Sequence, residues 1–329
     1  MSKIKVLDCT LRDGGYLNNW IFGTNNIQNI ISKLALANID YIECGFLNST
    51  KILDGQAFFN SPEELIPEIN NNPNLLLMIN FGEISIDKIP NNNNKNTGLR
   101  VAFKKEEQNE AIKFCKQLKE KNYNVFINPK QTIDYSDEEL DSLINLANTT
   151  SIDVFTIVDT NGSMQENDVI KIFKILDSKL NPEINIGFHS HNNLDLSLKN
   201  SSILAEQKTM RTLIIDSTIG GIGRGAGNLA TEDIIKYLNT FNKTSYNLNL
   251  IQELATDKIL TLVPHFSTTH KQAYKISAQK HCHPNYATFL IEKAIPSNIM
   301  ENILQKIPHE FKSNYNKILI QNVVKEVTK

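Results

Sequence analysis

Two histidines separated by one residue, His189 and His191, are the strongest chemical signal in this sequence, and they end an apolar run. On a β-strand, alternate side chains share a face about 6.5–7 Å apart, a spacing that lets one metal ion bridge two imidazoles. Asp13, in the segment Arg12-Asp13-Gly14, is the third ligand that we expect. Two histidines and one carboxylate leave positions for water and substrate, as in a catalytic divalent-metal site. The alternative is one histidine hydrogen-bonded in the core and one on the surface.

Arg12 precedes Asp13, so a guanidinium would lie beside the metal. There it could hold an enolate oxygen or a substrate carboxylate through two hydrogen bonds. Glu43, at the end of the next predicted strand, could orient Arg12 without touching substrate. The two side chains could also form an ion pair that is only structural, and both interpretations can hold at once.

Arginine is rare in this chain. Of 34 basic residues, four are arginines, namely Arg12, Arg100, Arg211 and Arg224. Where lysine serves nearly every basic position, a remaining arginine indicates a need for a planar, permanently charged group. Arg12 and Arg224 lie inside motifs, whereas chance explains Arg100 and Arg211 equally well.

A glycine-rich segment from Gly220 to Asn228 holds five of the 14 glycines and precedes a predicted helix. Backbone N–H groups of such a turn can bind an anion, and a mobile loop of this kind also suits an active-site lid. We therefore expect Gly223, Arg224 and Gly225 to contact substrate, together with Thr160 at another strand end. The alternative is a tight or mobile loop without a ligand.

The elements that must position these residues follow an alternating pattern, in which short β-branched runs precede segments of helical periodicity. The predicted strands are residues 3–11, 39–46, 75–80, 98–103, 124–128, 154–160, 185–191 and 212–218, and the predicted helices are residues 25–37, 62–70, 106–121, 137–148, 165–180, 194–206 and 228–238. Such alternation requires parallel pairing, and eight units in this length predict an α/β fold, the (β/α)8 TIM barrel. The competing fold, a doubly wound open sheet, usually has a glycine-rich turn after its first strand, which is missing here.

In a barrel, the residues that end the strands meet at one face and build the active site. The predicted strand ends are unusually polar and comprise Asp8, Arg12, Asp13, Glu43, Asn80, Asn128, Asp159, Thr160, Asn161, His189, His191, Asn192 and Asp216. This convergence favours the metal site over two unrelated histidines.

The alternation stops near residue 243. We expect a barrel domain over residues 1–242 and a helical region over residues 243–329, which would serve as a lid or as a subunit interface of a homodimer. Residues 249–263, 268–280 and 297–327 are predicted to be mainly helical. The segment from His281 to Tyr286 is predicted to be a loop that reaches the barrel mouth.

Composition excludes several classes of protein. The net charge of −2 argues against a nucleic-acid binder, and no apolar stretch is long enough for a membrane span. Four cysteines lie far apart without a CxxC pair, and the chain starts in a strand-like pattern without a signal peptide. We therefore expect a cytoplasmic protein with reduced thiols.

Four segments together resemble the DRE-TIM metallolyase superfamily. They are Leu7-Asp8-Cys9-Thr10-Leu11-Arg12-Asp13-Gly14, then Glu43, then His189-Ser190-His191-Asn192, then Gly223-Arg224-Gly225-Ala226-Gly227-Asn228. The resemblance covers about residues 4–240. It implies that Asp13, His189 and His191 bind a metal, with Asn228 near it in the lyase and synthase branches, and that Arg12, held by Glu43, stabilises an enolate.

Within the superfamily, the chain is most similar to the 4-hydroxy-2-oxovalerate aldolase branch. Asn285-Tyr286-Ala287-Thr288-Phe289-Leu290 resembles the aldolase segment that carries an active-site tyrosine, which maps onto Tyr286. Asp159-Thr160-Asn161-Gly162 resembles the aldolase turn after strand six. The aldolases place a catalytic histidine two residues after Arg-Asp-Gly, where this chain has Tyr16. Candidates for proton transfer are therefore Tyr16, Tyr286, His283 and a metal-bound water.

The resemblance implies a metal-dependent lyase that cleaves or forms a 4-hydroxy-2-oxo acid through a metal-bound pyruvate enolate. The cofactor would be Mn²⁺ or Mg²⁺, with Co²⁺ or Zn²⁺ as alternatives, and the partners a 2-oxo acid and an aldehyde. One alternative is an acyl-CoA enzyme like the isopropylmalate and homocitrate synthases or HMG-CoA lyase. Others are a barrel without catalytic activity and, from the ligand types alone, an iron oxygenase. The sequence identifies no partner dehydrogenase.

Overall fold

The computed structural model describes residues 3–48, 53–65, 74–93, 97–263 and 268–328. Its main strands are β1 (Lys3–Asp8), β2 (Tyr41–Leu47), β3 (Asn74–Asn80), β4 (Thr97–Phe103), β5 (Asn124–Pro129), β6 (Val154–Asp159), β7 (Asn185–Ser190) and β8 (Thr212–Ser217). They are all parallel, and β1 pairs with both β2 and β8, which closes the barrel. A two-residue strand, Phe58–Phe59, extends the pairing of β2. The predicted (β/α)8 barrel is confirmed.

In the part of the chain that the structure describes, six helices longer than two turns surround the barrel. They are α1 (Thr24–Leu36), α2 (Gln108–Glu120), α3 (Asp137–Asn148), α4 (Glu166–Lys179), α5 (Ser197–Ala205) and α6 (Thr231–Phe241). Within the described residues, 3₁₀ turns at Pro62–Glu64 and Ile86–Lys88 follow β2 and β3. The predicted helix over residues 62–70 therefore begins as a 3₁₀ turn, and residues 66–70 lie outside the described part of the chain.

Two predicted boundaries were wrong, and both errors concern the site. The first strand ends at Asp8 rather than at residue 11, because Thr10–Asp13 turns into a short helix whose Thr10 N–H donates to Asp8 Oδ1 over 2.9 Å. The helix predicted from residue 228 begins at Thr231, because Asn228 forms a β-bridge with His191. These irregular segments move Asp13 and Asn228 from regular elements into the barrel mouth.

The barrel interior is layered. Leu7, Leu76, Phe126, Val154 and Ile214 form an apolar cluster of their own. Because side chains alternate along a strand, residues two positions further on, such as Asn128 after Phe126 and Asp216 after Ile214, point into the same interior. An apolar layer therefore supports the polar layer that forms the site.

The C-terminal region is helical, as predicted, with one difference. Its helices are α7 (Leu248–Leu254), which continues as a π turn (Ala255–Ile259) and Leu260–Leu262, then α8 (Thr268–Gln279), α9 (Pro284–Glu292), α10 (Ser297–Gln305), a turn at His309–Lys312, and α11 (Lys317–Val327). The segment predicted as a loop becomes α9 from Pro284, which occupies the first helical position.

The apolar core is divided in two. Ile251 and Leu254 of α7 belong to the barrel core, whereas helices α8 to α11 bury a separate core around Tyr286, Leu290 and Ile303. This second core starts at Ala273, beyond the predicted boundary after residue 242, and the division into two domains stays a prediction. In the described residues, no helix combines the length and the apolar composition that a membrane crossing requires.

Candidate metal centre and active-site cavity

Asp13, His189 and His191 meet at the mouth of the barrel. One ligand atom of each lies within 4.8 Å of the others, and all three residues are buried. Asp13 Oδ2 is 3.3 Å from His189 Nε2 and 3.6 Å from His191 Nε2. The structure thus brings together the three residues that the sequence singled out, with Nε2 of both rings turned toward one carboxylate.

The second nitrogen of each histidine fixes the orientation of its ring. His189 Nδ1–H donates to Asp216 Oδ2 over 3.0 Å, and His191 Nδ1–H donates to the Asp159 carbonyl over 2.9 Å. Both Nε2 atoms therefore face Asp13, and His191 Nε2 is buried without a hydrogen-bond partner. A carboxylate or carbonyl behind each imidazole is the usual support of metal-ligating histidines.

The protonation states of His191 and Asp13 agree with this arrangement, whereas the carboxylates of Asp13 and Asp216 raise the pKa of His189 against the effect of its burial, so that a metal ion would have to displace a proton there. Burial lowers the pKa of His191 to about 3, so this imidazole is neutral. Burial would raise the pKa of Asp13, but Arg12 and the two histidines outweigh it and hold that pKa well below its usual value. An ionised carboxylate and a neutral imidazole are the forms that bind metals.

Asn228 adds a fourth polar group. Its side-chain nitrogen donates to Asp13 Oδ2 over 2.8 Å and to the Ile222 carbonyl over 3.0 Å, while its oxygen is buried without a hydrogen bond. The amide thus braces Asp13 and keeps an oxygen available as a further ligand.

The donor set fits a divalent cation. Arg12, Arg100, Asp13, Glu43 and Asp216 form one buried ion-paired network of two cations and three anions, with a net charge of −1 when His189, which contacts Asp13 and Asp216, is neutral as a metal ligand must be. Such a charge is costly in the protein interior unless a cation neutralises it. Imidazole and carboxylate ligands accommodate Mn²⁺, Co²⁺ and Zn²⁺, and oxygen ligands suit Mg²⁺.

Arg12 forms the predicted ion pair with Glu43, and its predicted contact with substrate stays a prediction. Its Nε donates to Glu43 Oε2 over 2.7 Å, and Nη1 lies 3.1 Å from Asp13 Oδ1. Its Nη2 is buried without a hydrogen-bond partner, although the residue lines the cavity described below. Glu43 therefore holds the guanidinium in place while one nitrogen stays available to an oxygen atom in the cavity.

Arg100 is a part of the site that the sequence analysis did not assign. It is fully buried, its Nε donates to Asn128 Oδ1 over 2.8 Å, and its Nη2 pairs with Asp216. Nη1 lies 3.5 Å from Glu43 Oε2, so one guanidinium links the carboxylates behind His189 and Arg12. The rarity of arginine was the signal that could have identified it.

Arg211, by contrast, lies away from the cavity. Its guanidinium donates to the Leu180 and Ile184 carbonyls over 2.5 and 2.6 Å and pairs with Asp177 over 3.1 Å. Its guanidinium therefore connects the start of β8 to the end of α4, which is a structural role.

A cavity of about 560 Å³ opens above the metal centre. The barrel contributes Arg12, Tyr16, Asn80, Asn128, Lys130, Thr160, His189, His191 and Arg224, and the C-terminal region contributes His283, Asn285, His309, Glu310, Ser313, Asn314 and Tyr315. Ser313 also pairs with Asp134, and Asn161 Nδ2 donates to the His281 carbonyl over 3.3 Å. The helical region thus contributes part of the cavity wall.

Tyr16 and His283 face this cavity, as predicted. The guanidinium carbon of Arg224 lies 4.9 Å from the centroid of the Tyr16 ring, a cation–π contact. His283 Nδ1 accepts from the Asn285 N–H over 3.1 Å as the N-cap of α9, which leaves the proton on Nε2. Burial, together with Arg224 and His191, holds the pKa of His283 well below its usual value, so the ring is neutral.

Tyr286 does not reach the cavity. Its hydroxyl donates to the Phe311 carbonyl over 2.8 Å and accepts from the Asn316 N–H over 3.0 Å inside the C-terminal core. This places it behind the wall of the cavity, because α9 turns His283 and Asn285 outward and Tyr286 inward.

The glycine-rich loop uses some of its backbone N–H groups internally, and the predicted substrate contacts of Gly223 and Gly225 stay predictions. Gly220 N–H donates to the Glu232 carboxylate, and Gly227 N–H to the Arg224 carbonyl, so these groups are already used. A side chain on Gly223 would collide with the Asn228 amide, 2.2 Å from its Cβ position. The glycines therefore allow close packing around Asn228, and of the three predicted substrate contacts in the loop Arg224 lines the cavity.

Comparisons with known proteins point to one family. A family model described as HMGL-like matches residues 94–260. The chain is 25% identical over 241 residues to an oxaloacetate decarboxylase of Mycobacterium tuberculosis (71% of this chain, 69% of that protein). It is 28% identical over 264 residues to a 4-hydroxy-2-oxovalerate aldolase of Geobacillus genomosp. 3 (77% and 75%). The chain is also similar to the crystal structure of the N-terminal domain of a candidate aldolase from Bacteroides vulgatus, with a TM-score of 0.66 and 25% identity. The match covers 98% of this chain and 96% of that chain.

Proposed function

Because the chain belongs to the HMGL-like family and is a metal-dependent lyase, we propose that it cleaves or forms a 4-hydroxy-2-oxo acid through a pyruvate enolate. Membership of the HMGL-like family confirms the resemblance of this chain to the DRE-TIM superfamily. The proposal rests on Arg12, whose Nη2 is buried without a hydrogen-bond partner. This residue lines the cavity beside Asp13 and the two histidines.

Asp13, His189 and His191 would hold the divalent ion, with Asn228 beside them, and Mn²⁺ or Mg²⁺ is our first choice. When bound, such an ion supplies Lewis acidity to the carbonyl and carboxylate oxygens of a 2-oxo acid. The network of net charge −1 supports this proposal, because a divalent ion and one monoanionic substrate would together bring it to neutrality.

Arg12 would donate from Nη2 to the oxygen on which negative charge develops as the carbon–carbon bond breaks. Its other nitrogens are held by Glu43 and Asp13, so the donor is oriented before the reaction begins. A donor fixed in this way stabilises the transition state more than a mobile one, because no reorganisation is needed.

Proton transfer is assigned to Tyr16, with support from His283. The Nδ1 lone pair of His283 already accepts from Asn285, so the ring can donate from Nε2 to the 4-hydroxyl oxygen but has no free basic nitrogen. The Tyr16 hydroxyl lies at the partly exposed mouth, where it can exchange protons with solvent. Tyr286 is left out, since its hydroxyl is used inside the C-terminal core.

Decarboxylation of oxaloacetate is a second candidate, because one relative bears that name. Loss of CO₂ from that substrate would produce the same enolate, so the roles of Arg12 and the metal ligands would not change. We further propose that residues 243–329 cover the cavity. Assembly as a homodimer and a cytoplasmic location stay predictions.

The exchange of pyruvate methyl protons with deuterated water, followed by NMR in the presence of Mn²⁺, tests the proposal. An enzyme that makes the enolate should exchange these protons without any aldehyde, and Arg12→Lys should slow the exchange while metal stays bound. Exchange of acetyl-CoA in place of pyruvate would move the protein to the acyl-CoA enzymes. Exchange of neither by the metal-loaded protein would contradict the proposal and favour a barrel without catalytic activity.

A further inference from the structure

We propose that Lys130 and Arg224 form a second anion-binding position at the cavity mouth, which takes a carboxylate or phosphate group on the aldehyde half of the substrate. This inference rests on the proposed function, because it names the class of aldehyde that the same cavity would accept. It concerns a group other than the 2-oxo acid carboxylate near the metal.

Lys130 follows β5 directly and points its charge into the cavity. Its Nζ donates to Asn80 Oδ1 over 3.3 Å, and in the described part of the chain it pairs with no carboxylate. Burial, with Arg224 nearby, lowers its pKa, so the ammonium is held in a place that disfavours its charge. Asn80 provides one neutral hydrogen bond and leaves two N–H groups for a ligand.

Arg224 lies on the glycine-rich loop and lines the same cavity as Lys130. Its Nε is buried without a hydrogen-bond partner. Among the described residues it pairs with no carboxylate, and the Tyr16 ring supports its guanidinium from one side. The Tyr16 contact orients a planar guanidinium whose N–H groups have no hydrogen-bond acceptor among the described residues.

The two cations are close enough to disfavour each other, since Arg224 contributes to the lowered pKa of Lys130. An oxyanion between them would neutralise this repulsion and supply the missing acceptors. The acidic residues of the lining do not perform this role. In the described part of the chain, the acidic lining residues Glu106, Asp134 and Glu310 form no ion pair with Lys130 or Arg224, and Asp134 accepts from Ser313. Glu107 and Glu83, outside the lining, act on Lys130 only at longer range.

Lys105 is the matched control within the same lining. It carries the same charge, yet its Nζ donates to Glu139 over 2.9 Å and to the Asp134 carbonyl over 3.2 Å. Its charge is therefore already neutralised by the protein. If general positive charge at the mouth attracted anions, Lys105 and Lys130 would be equivalent, whereas a defined position requires Lys130.

The experiment measures kcat/KM for aldol addition of pyruvate to paired aldehydes by the Mn²⁺-loaded protein. Succinic semialdehyde is compared with butanal, and glyceraldehyde 3-phosphate with glyceraldehyde, so the two pairs distinguish carboxylate from phosphate. We expect the anionic member of at least one pair to be preferred about tenfold or more. Lys130→Gln and Arg224→Gln should each lower that preference about tenfold, as expected for a hydrogen bond to a charged group. Lys105→Gln should change it less than about twofold.

Failure of this inference can be distinguished from failure of the proposed function. Pyruvate exchange without any aldehyde preference, or with a preference that survives in Lys130→Gln, would overturn the anion position and leave the aldolase proposal standing. If the exchange of pyruvate methyl protons is itself absent, calorimetric titration with succinate tests whether the anion position exists. Binding weakened about fivefold or more in Lys130→Gln relative to Lys105→Gln would support the position, and equal binding would overturn it.

Discussion

Asp216 accepts a hydrogen bond from His189 Nδ1 over 3.0 Å, and this contact determines which nitrogen of His189 faces Asp13. The same carboxylate oxygen also pairs with Arg100. The metal centre is therefore coupled to the charged network behind it.

Asp216→Asn should weaken Mn²⁺ binding about 10- to 100-fold, the range seen when the support of a ligating histidine is lost. The amide removes the negative charge that orients His189 and that a cation requires. Calorimetric titration of the metal-free protein gives the affinity, and circular dichroism confirms that the barrel remains folded. An unchanged dissociation constant in a folded variant would contradict the role of Asp216.

His191→Ala should abolish stable metal binding, because one of two imidazole ligands is lost. The purified wild-type protein should hold about one divalent ion per chain, and chelation should stop its turnover. Elemental analysis of both proteins, with a thermal melt as a test of folding, checks this expectation. Full activity of a metal-free His191→Ala preparation would overturn the ligand assignment.

Arg12→Lys should lower turnover roughly 100-fold or more while metal stays bound. Lysine keeps the charge but loses the planar fork that contacts Glu43 and leaves one N–H group for the substrate. Turnover and metal content are measured on the same preparation. An unchanged rate would return Arg12 to a purely structural role.

Tyr16→Phe and Tyr286→Phe should behave differently. Loss of the Tyr16 hydroxyl should slow pyruvate exchange with unchanged metal content, because this group faces the cavity. Loss of the Tyr286 hydroxyl should mainly destabilise the C-terminal region, by about 1–3 kcal/mol, because its buried carbonyl and N–H partners lose a hydrogen bond. Equal exchange rates in wild type and Tyr16→Phe would contradict the assignment of Tyr16 and leave a metal-bound water as the remaining candidate.

Asp8→Asn should stabilise the protein at pH 8 but not below pH 4. Burial raises the pKa of Asp8 from 3.8 to about 6, against the hydrogen bonds from Thr10 and Thr231. The folded state therefore binds this proton more tightly than the unfolded state, and stability falls as the pH rises from about 4 to about 6. A pKa shift of this size corresponds to a loss of about 3 kcal/mol in the free energy of unfolding when the carboxyl is ionised. A neutral amide at this position would avoid that loss. Urea unfolding in the presence of a chelator measures the free energy of unfolding of the variant and of the wild type at both pH values. An equal difference between the two proteins at pH 8 and below pH 4 would contradict the expectation.

The barrel and the three candidate metal ligands could be predicted from local patterns in the sequence. Strand and helix periodicities are local, because each element buries one face and exposes another, so eight alternating units could be recognised one at a time. His189 and His191 share a strand face whatever surrounds them, and the ends of parallel strands must meet at one rim. These inferences did not depend on packing between distant segments.

Which polar groups face one another across the barrel follows from tertiary packing and could not be predicted from the sequence. Arg100 belongs to the site because barrel closure brings Asp216 and Glu43 to opposite sides of its guanidinium. Tyr286 lies behind the cavity because helix α9 turns it into the C-terminal core, a choice that depends on Phe311 and Asn316 far along the chain. Such contacts join segments that are distant in sequence, and their geometry follows from how the elements pack rather than from the pattern within any one of them.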